Sequence, residues 1–241
     1  MNKTKKILIL GGGQAAAYAA KEIRLIDKNS DVTIISDEKY LPYEKPPLSK
    51  DYILDKVTFD DLLFFSENFY KENNIKFKGS TKITKVDFDN KKITSSLNTY
   101  EYDRLLITTG CSNRHLKING EIVLPEENII YLRNFEESNN LKNKINKAKS
   151  ITIIGGGFIG LEIASSALQK GKNVTILEKG EQLMGRVIPK QIADLILEKH
   201  ESEGTKINLN TQIKNIKKYN KTFKIYLNTN QILTSDLIII G

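Results

Sequence analysis

Ile7-Leu8-Ile9-Leu10-Gly11-Gly12-Gly13-Gln14-Ala15-Ala16 is a short apolar run that breaks into three glycines and then into alanines. Four apolar residues bounded by glycine read as a buried strand, and the alanine-rich continuation reads as the first turn of a helix. The spacing Gly11-x-Gly13-x-x-Ala16 suits a dinucleotide pyrophosphate. The first glycine permits the turn, the second lets phosphates approach the backbone, and the small third residue lets helix and strand pack closely. Free N–H groups at the helix start then meet the negative charge, so Gly11, Gly13, Gln14, Ala15 and Ala16 are candidate cofactor contacts. A single turn of this kind also serves as an ordinary glycine-rich connection. The chain repeats it, however, as Ile151-Thr152-Ile153-Ile154-Gly155-Gly156-Gly157-Phe158-Ile159-Gly160. Gly155, Gly157 and Gly160 complete the fingerprint, with Phe158 and Ile159 as further contacts. Two dinucleotide folds in one chain imply two nucleotides and an α/β architecture: two Rossmann-like domains, each three-layered, with parallel sheets and small β-meanders.

With 241 residues, 39% hydrophobic and 27% charged, the chain has material for one large core or two modest ones. The formal charge is +8 and the pI near 9.3. Its lysines are scattered among asparagines and isoleucines, which points to compositional bias and not to a nucleic-acid surface; an acidic protein partner is the functional alternative. Cys111 is the single cysteine, which excludes an internal disulfide framework, a CxxC redox pair or a cysteine-rich metal site. His115 and His200 are well apart in sequence, so no metal is expected. Lys3, Lys5 and Lys6 precede an apolar stretch ending near Ala17-Tyr18-Ala19. Ile7 to Leu10 is nevertheless too short for the apolar region of a secretion signal, and cleavage there would remove the glycine turn. No run approaches the ~18 apolar residues of a membrane helix, and a cytoplasmic location is expected.

Each turn predicts its own surroundings. Helix 14–26 should lead to strand Val32–Ser36, which ends in Asp37-Glu38 about 20 residues past the turn, where an acidic side chain accepts hydrogen bonds from ribose hydroxyls. Asp37 is the first candidate and Glu38 the alternative; a merely acidic strand end remains the plain reading. In the second fold, helix Leu161–Lys170 should lead to strand Val174–Glu178. The Glu178 carboxylate would bind a ribose diol and repel a 2′-phosphate, favouring NAD(H) over NADP(H), with Lys179 beside it working against that choice. Between the folds, the aromatic stretch 57–73 is expected to be core or domain-interface packing. Runs 75–77, 81–87, 92–95 and 100–102 suit a β-meander, and Leu105–Gly110 reads as a second buried strand. Helices over 136–149 and 189–203 and strands over 206–209, 213–219, 222–227 and 237–240 are expected beyond.

Pro42, Pro46 and Pro47 rule out an ordinary helix over Tyr40–Lys50. This segment, Pro42-Tyr43-Glu44-Lys45-Pro46-Pro47-Leu48-Ser49-Lys50, resembles the FAD-containing ferredoxin reductases that serve oxygenase and cytochrome P450 systems, and the related apoptosis-inducing-factor group, within the pyridine nucleotide-disulfide oxidoreductase superfamily. The resemblance covers essentially all 241 residues. It implies FAD in a first domain, residues 1–117, and NAD in a second, residues 118–241. By position it assigns Asp37, Lys45 and Lys50 to FAD. The family more often has arginine where Lys45 stands, so a bidentate grip becomes a point charge. Backbone at Ile83 corresponds to the family's adenine site. Thr108-Thr109-Gly110-Cys111-Ser112-Asn113-Arg114 is similar to the family's ATGxxPR segment and makes Arg114 an FAD contact, although Thr108 and Asn113 depart from it. Gln182-Leu183-Met184-Gly185-Arg186-Val187 is similar to LMxRV and makes Arg186 a cofactor ligand, with simple loop anchoring as the alternative. Lys50 and Glu162 correspond to a catalytic, buried interdomain ion pair within ~4 Å beside the flavin.

The activity implied is transfer of hydride from NADH to FAD and then of single electrons to a 2Fe–2S ferredoxin or, as a second choice, a rubredoxin. One alternative is a redox-sensing flavoprotein of the apoptosis-inducing-factor type, whose output is binding. Another is an inactive fragment, because the family continues past the equivalent of Gly241 with a returning flavin segment and a C-terminal domain. On that ground the chain is expected to hold FAD poorly. Nothing in the sequence indicates an oligomeric state.

Overall fold

The computed structural model describes residues 4–185 and 187–241. Two compact units emerge: one comprises the chain to Glu44 together with Phe59–Cys111, the other Lys45–Thr58 together with Ser112–Gly241.

The first unit is built on β1 (Lys6–Leu10), α1 (Gln14–Ile26), β2 (Asp31–Ile35), α2 (Glu67–Glu72), β3 (Ile75–Lys78), β4 (Ile83–Asp87), β5 (Lys92–Ser95), β6 (Thr99–Glu101) and β7 (Arg104–Ile107). Its main sheet is parallel in the order β3-β2-β1-β7; β4-β5-β6 form an antiparallel meander. Strand periodicity divides the apolar residues between two faces. Ile9, Val32 and Ile34 meet Ala16 and Ala20 of α1 and Tyr70 of α2, while Leu8 and Ile35 meet Ile93 and Tyr102 on the meander side. Alanines four apart on α1 let the helix approach the sheet closely. The aromatic stretch serves as packing: Phe65 stacks on Phe69 at 4.4 Å between centroids, and Tyr18 of α1 meets the edges of Phe64 and Phe65. β7 corrects the expectation of a buried strand. Leu106 and Ile107 are 39% and 51% exposed, although Ile75 of the opposite edge strand β3 is buried; an apolar run does not reveal which face of a strand finds a neighbour.

Arg24 is only 7% exposed. Its guanidinium donates to the carbonyls of Asn73 at 2.6 Å, Asn74 at 2.8 Å and Asp27 at 3.2 Å, and to Ser30 Oγ at 3.2 Å, tying the end of α1 to the end of α2. Arg24→Met keeps the aliphatic stem and removes the donors. It is expected to cost about 2–4 kcal/mol through carbonyls left without partners; an unchanged urea midpoint would show that water replaces the guanidinium.

The second unit contains β8 (Lys117–Ile118), β9 (Glu121–Ile122), β10 (Ile129–Tyr131), α3 (Phe135–Lys147), β11 (Ser150–Ile154), α4 (Phe158–Gln169), β12 (Asn173–Leu177), α5 (Lys190–Ser202), β13 (Lys206–Asn208), β14 (Ile213–Tyr219), β15 (Thr222–Leu227), β16 (Ile232–Ser235) and β17 (Leu237–Ile240). Its parallel sheet runs β10-β17-β11-β12-β13, and β14-β15-β16 form a second meander. The strand β16, which the sequence reading omits, is the meander's third member. Helices α3 and α4 cover one sheet face through Leu141, Ile145, Ala164 and Ala167. Phe223, Ile225 and Leu227 of β15 cover the other.

The proline segment is divided: its residues up to Glu44 group with the first unit and those from Lys45 to Thr58 with the second, and the chain passes to the second unit again at Ser112. Ile53 is fully buried in the second unit's core. Tyr52 meets the Phe135 ring and donates to Asn139 Oδ1. Asp55 sits between Lys142 at 2.5 Å and Lys170 at 2.7 Å, and hydrogen bonds from those two ammonium groups hold its carboxyl below the usual carboxylate range. Among the described residues no helix is long and apolar enough to cross a membrane, and no group of three or more His, Cys, Asp or Glu side chains could hold a metal.

Candidate functional site

Both glycine turns lie at the C-terminal ends of parallel strands, at the point where chain connections leave a central strand in opposite directions. β1 stands between β2 and β7, and β11 between β12 and β17. This switch point is where open α/β sheets bind ligands. The turns are built alike. Gly11 has φ +113° and Gly155 φ +110°, conformations that side chains rarely adopt. A Cβ on Gly11 would lie 2.2 Å from the Thr108 carbonyl oxygen beyond β7, and one on Gly155 2.6 Å from the Gly241 oxygen beyond β17. A Cβ on Gly160 would sit 2.2 Å from Gly155 O. Ala16, at the equivalent place in the first turn, is fully buried.

The residues present fit a dinucleotide. A methyl built on Gly13 or Gly157 meets no atom within 4 Å. Helices α1 and α4 both start on these glycines without a side-chain cap and carry no acidic residue in the first turn. Their N-terminal N–H groups and dipole therefore suit an anion. Helix α4 begins at Phe158, three residues before the expected start, which makes Phe158, Ile159 and Gly160 helical; Phe158 and Ile159 are 56% and 37% exposed. Gln14 and Ala15 are exposed on the first turn of α1.

Around the first turn, the Thr81 N–H donates to Ser36 O at 2.7 Å and the Ser80 N–H to Glu38 O at 3.1 Å. These bonds bring the approach to Ile83 beside the end of β2. Asp37 is exposed, whereas Glu38 accepts a hydrogen bond from the Tyr43 hydroxyl. Lys45 falls in the other unit with Lys50, and Arg114 is exposed there too.

In the second unit Glu178, at the end of β12, accepts the Gly156 N–H on Oε2 and the Gly180 N–H on Oε1, each at 2.6 Å. Two backbone donors fix the carboxylate's direction while lone pairs remain for hydroxyl donors. Arg186 lies outside the described residues. Lys50 Nζ is 2.9 Å from Glu162 Oε1. The expected geometry departs in two ways: both residues belong to one compact unit, and their side chains are 44% and 26% exposed. An ion pair that open is worth at most about 1 kcal/mol to stability.

Residues to which the sequence assigned no role surround this pair. Ser49 Oγ donates to Glu162 Oε2 at 2.5 Å, Ser166 Oγ to Ser49 O at 2.9 Å, and Ser138 Oγ to Leu48 O at 2.6 Å. The four-residue spacing of Glu162 and Ser166, which puts both on one helix face, was the available signal.

The profile of the pyridine nucleotide-disulphide oxidoreductases matches residues 5–241. The chain is 32% identical over 240 residues to the 3-phenylpropionate/cinnamic acid dioxygenase ferredoxin–NAD(+) reductase component of Photorhabdus laumondii subsp. laumondii, covering 99% of this chain and 60% of that protein. It is 32% identical over 237 residues to a rubredoxin–NAD(+) reductase of Pseudomonas putida, covering 98% and 61%. The covalent putidaredoxin reductase–putidaredoxin complex superposes with a TM-score of 0.93 at 27% identity, over 100% of this chain and 58% of the solved one. The chain thus spans about three-fifths of the length of the curated relatives it matches.

Proposed function

Since the chain belongs to the pyridine nucleotide-disulphide oxidoreductase family, we propose that it works as an NADH-dependent flavoprotein reductase, with FAD at the first glycine turn, NAD(H) at the second, and a small iron–sulfur protein as electron acceptor. A ferredoxin is the preferred acceptor and a rubredoxin the second choice. The cofactors supply hydride transfer and one-electron release; the chain binds and orients. The observation that carries this reading is the pair of uncapped glycine turns at two sheet switch points.

In the first fold Gly11, Gly13, Gln14, Ala15 and Ala16 would hold the FAD pyrophosphate. Asp37 is preferred over Glu38 for the ribose, because Tyr43 already engages Glu38. Ile83 is assigned to the adenine. In the second fold Gly155, Gly157, Phe158, Ile159 and Gly160 would hold the NAD(H) pyrophosphate, Glu178 its ribose diol, and Arg186 its phosphate or carboxamide. Lys50 and Glu162 would be the catalytic ion pair of the reaction. We place the reaction in the cytoplasm.

The test saturates the protein carrying this chain with FAD, adds NADH anaerobically and follows the flavin absorbance, then adds an oxidised 2Fe–2S ferredoxin. Bleaching on NADH followed by ferredoxin reduction is expected, and an FAD-loaded protein that NADH leaves yellow would end the proposal. Coenzyme choice adds a second check. Glu178→Ala removes the acceptor for the diol and the repulsion of a 2′-phosphate. The preference for NADH over NADPH should then narrow by about 1–3 kcal/mol, roughly tenfold to a hundredfold in kcat/KM. An unchanged ratio would assign the selectivity elsewhere.

A further inference from the structure

Ser49 is 4% exposed and is gripped by one face of α4. Its carbonyl accepts from Ser166 Oγ at 2.9 Å, and its own hydroxyl lies 2.5 Å from Glu162 Oε2 and 3.3 Å from Pro46 O. A hydroxyl has one proton to give. The shorter contact to a charged acceptor takes it, since such bonds are the stronger ones. Glu162 and Ser166, one helical turn apart, thus hold Ser49 by side chain and backbone together. The opposite oxygen of the same carboxylate, Oε1, faces Lys50 Nζ at 2.9 Å.

Lys50 is too exposed to hold that carboxylate in one rotamer, because open ion pairs are weak and lose side-chain entropy on pairing. The part-buried contact from Ser49, itself 4% exposed, is the one that fixes Glu162. We propose that Ser49 is a positioning residue for the reductase reaction: its hydroxyl sets the Glu162 carboxylate so that Oε1 stays presented to Lys50. This rests on the proposed function for the reaction, and on the hydrogen-bond geometry alone for the positioning.

Crystal structures of the Ser49→Ala and Ser49→Thr proteins test the positioning without any turnover. In Ser49→Ala the Glu162 carboxylate should rotate away and its separation from Lys50 Nζ should exceed 4 Å; in Ser49→Thr, which keeps the hydroxyl, the pair should remain. A Ser49→Ala structure with the Lys50–Glu162 pair unmoved would overturn the inference. Stopped-flow reduction of FAD-loaded protein by NADH supplies the second arm. Ser49→Ala should slow the reduction step about tenfold with NADH affinity unchanged, and Ser49→Thr should restore most of the rate. In a Glu162→Ala background Ser49→Ala should add nothing, because its effect runs through the missing carboxylate. A further tenfold loss in that background would mean that Ser49 acts by docking the proline segment, and would also overturn the inference. If NADH fails to reduce the wild-type flavin, the functional reading fails while the crystal structures still decide what Ser49 does to Glu162.

Discussion

Gly11→Ala and Gly155→Ala are expected to lose about 3–5 kcal/mol of stability each, whereas Gly13→Ala and Gly157→Ala should fold normally and lose dinucleotide affinity. The two glycines of each turn have different surroundings. At Gly11 and Gly155 the backbone sits near φ +110°, which costs a residue with a Cβ about 1–3 kcal/mol. The added atom would also press on a backbone oxygen at 2.2 or 2.6 Å, and overpacking against an element that cannot yield adds about 1–3 kcal/mol. Against a total stability of about 5–15 kcal/mol the sum threatens folding itself. At Gly13 and Gly157 φ is −97° and −85°, and a methyl meets nothing within 4 Å. The space it would fill is the one assigned to a pyrophosphate. Urea unfolding separates the first pair from the second. Titration with FAD for Gly13→Ala and with NAD+ for Gly157→Ala then reads the binding loss. Full stability in Gly11→Ala would refute the strained turn, and undiminished NAD+ affinity in Gly157→Ala would move the pyrophosphate elsewhere.

The second large effect concerns Lys50 and Glu162. Lys50→Ala should leave stability within about 1 kcal/mol of wild type, because the pair is half open to solvent, whereas Glu162→Ala also removes the acceptor of the Ser49 hydroxyl and should cost about 1–3 kcal/mol. The same substitutions should slow flavin reduction by NADH on the order of 10²-fold, the scale on which small misplacements of reacting groups are felt. If the two act as one unit, the double variant will be little slower than either single variant. Equal losses of stability and rate would instead mark the pair as a structural fastening, and simple additivity would separate the two residues. The rate half of this prediction depends on the proposed function, while the stability half stands on the exposure of the pair and on the Ser49 hydrogen bond.

Local physics made much of the fold legible before any tertiary contact was known. The runs Ile7–Leu10 and Ile151–Ile154, each ending in three glycines, determined two β–α turns. α1 occupies the expected residues 14–26, because an alanine-rich segment between a glycine turn and a polar stretch carries its own start and stop. β5, β14, β15 and β17 also lie where apolar alternation or an apolar run placed them. The acidic residues closing β2 and β12 follow from the same pattern, since strand length and helix length together set their distance from the turn.

What the chain could not show by itself was which segments share a neighbour. The proline stretch reads as a continuation of the first fold, yet Ile53 is buried in the second unit's core and Asp55 is held by Lys142 and Lys170. Burial across that much sequence depends on contacts that no local pattern encodes. The same holds for β7, whose apolar residues lie open at a sheet edge, and for Ser49, which local reading passes over as one residue of a proline-rich segment. Glycine spacing and hydrophobic period were set by the sequence, because they are properties of neighbouring residues. The partner of Ser49's hydroxyl was decided by the tertiary structure alone, because Glu162 reaches it only after α4 has packed against the proline segment.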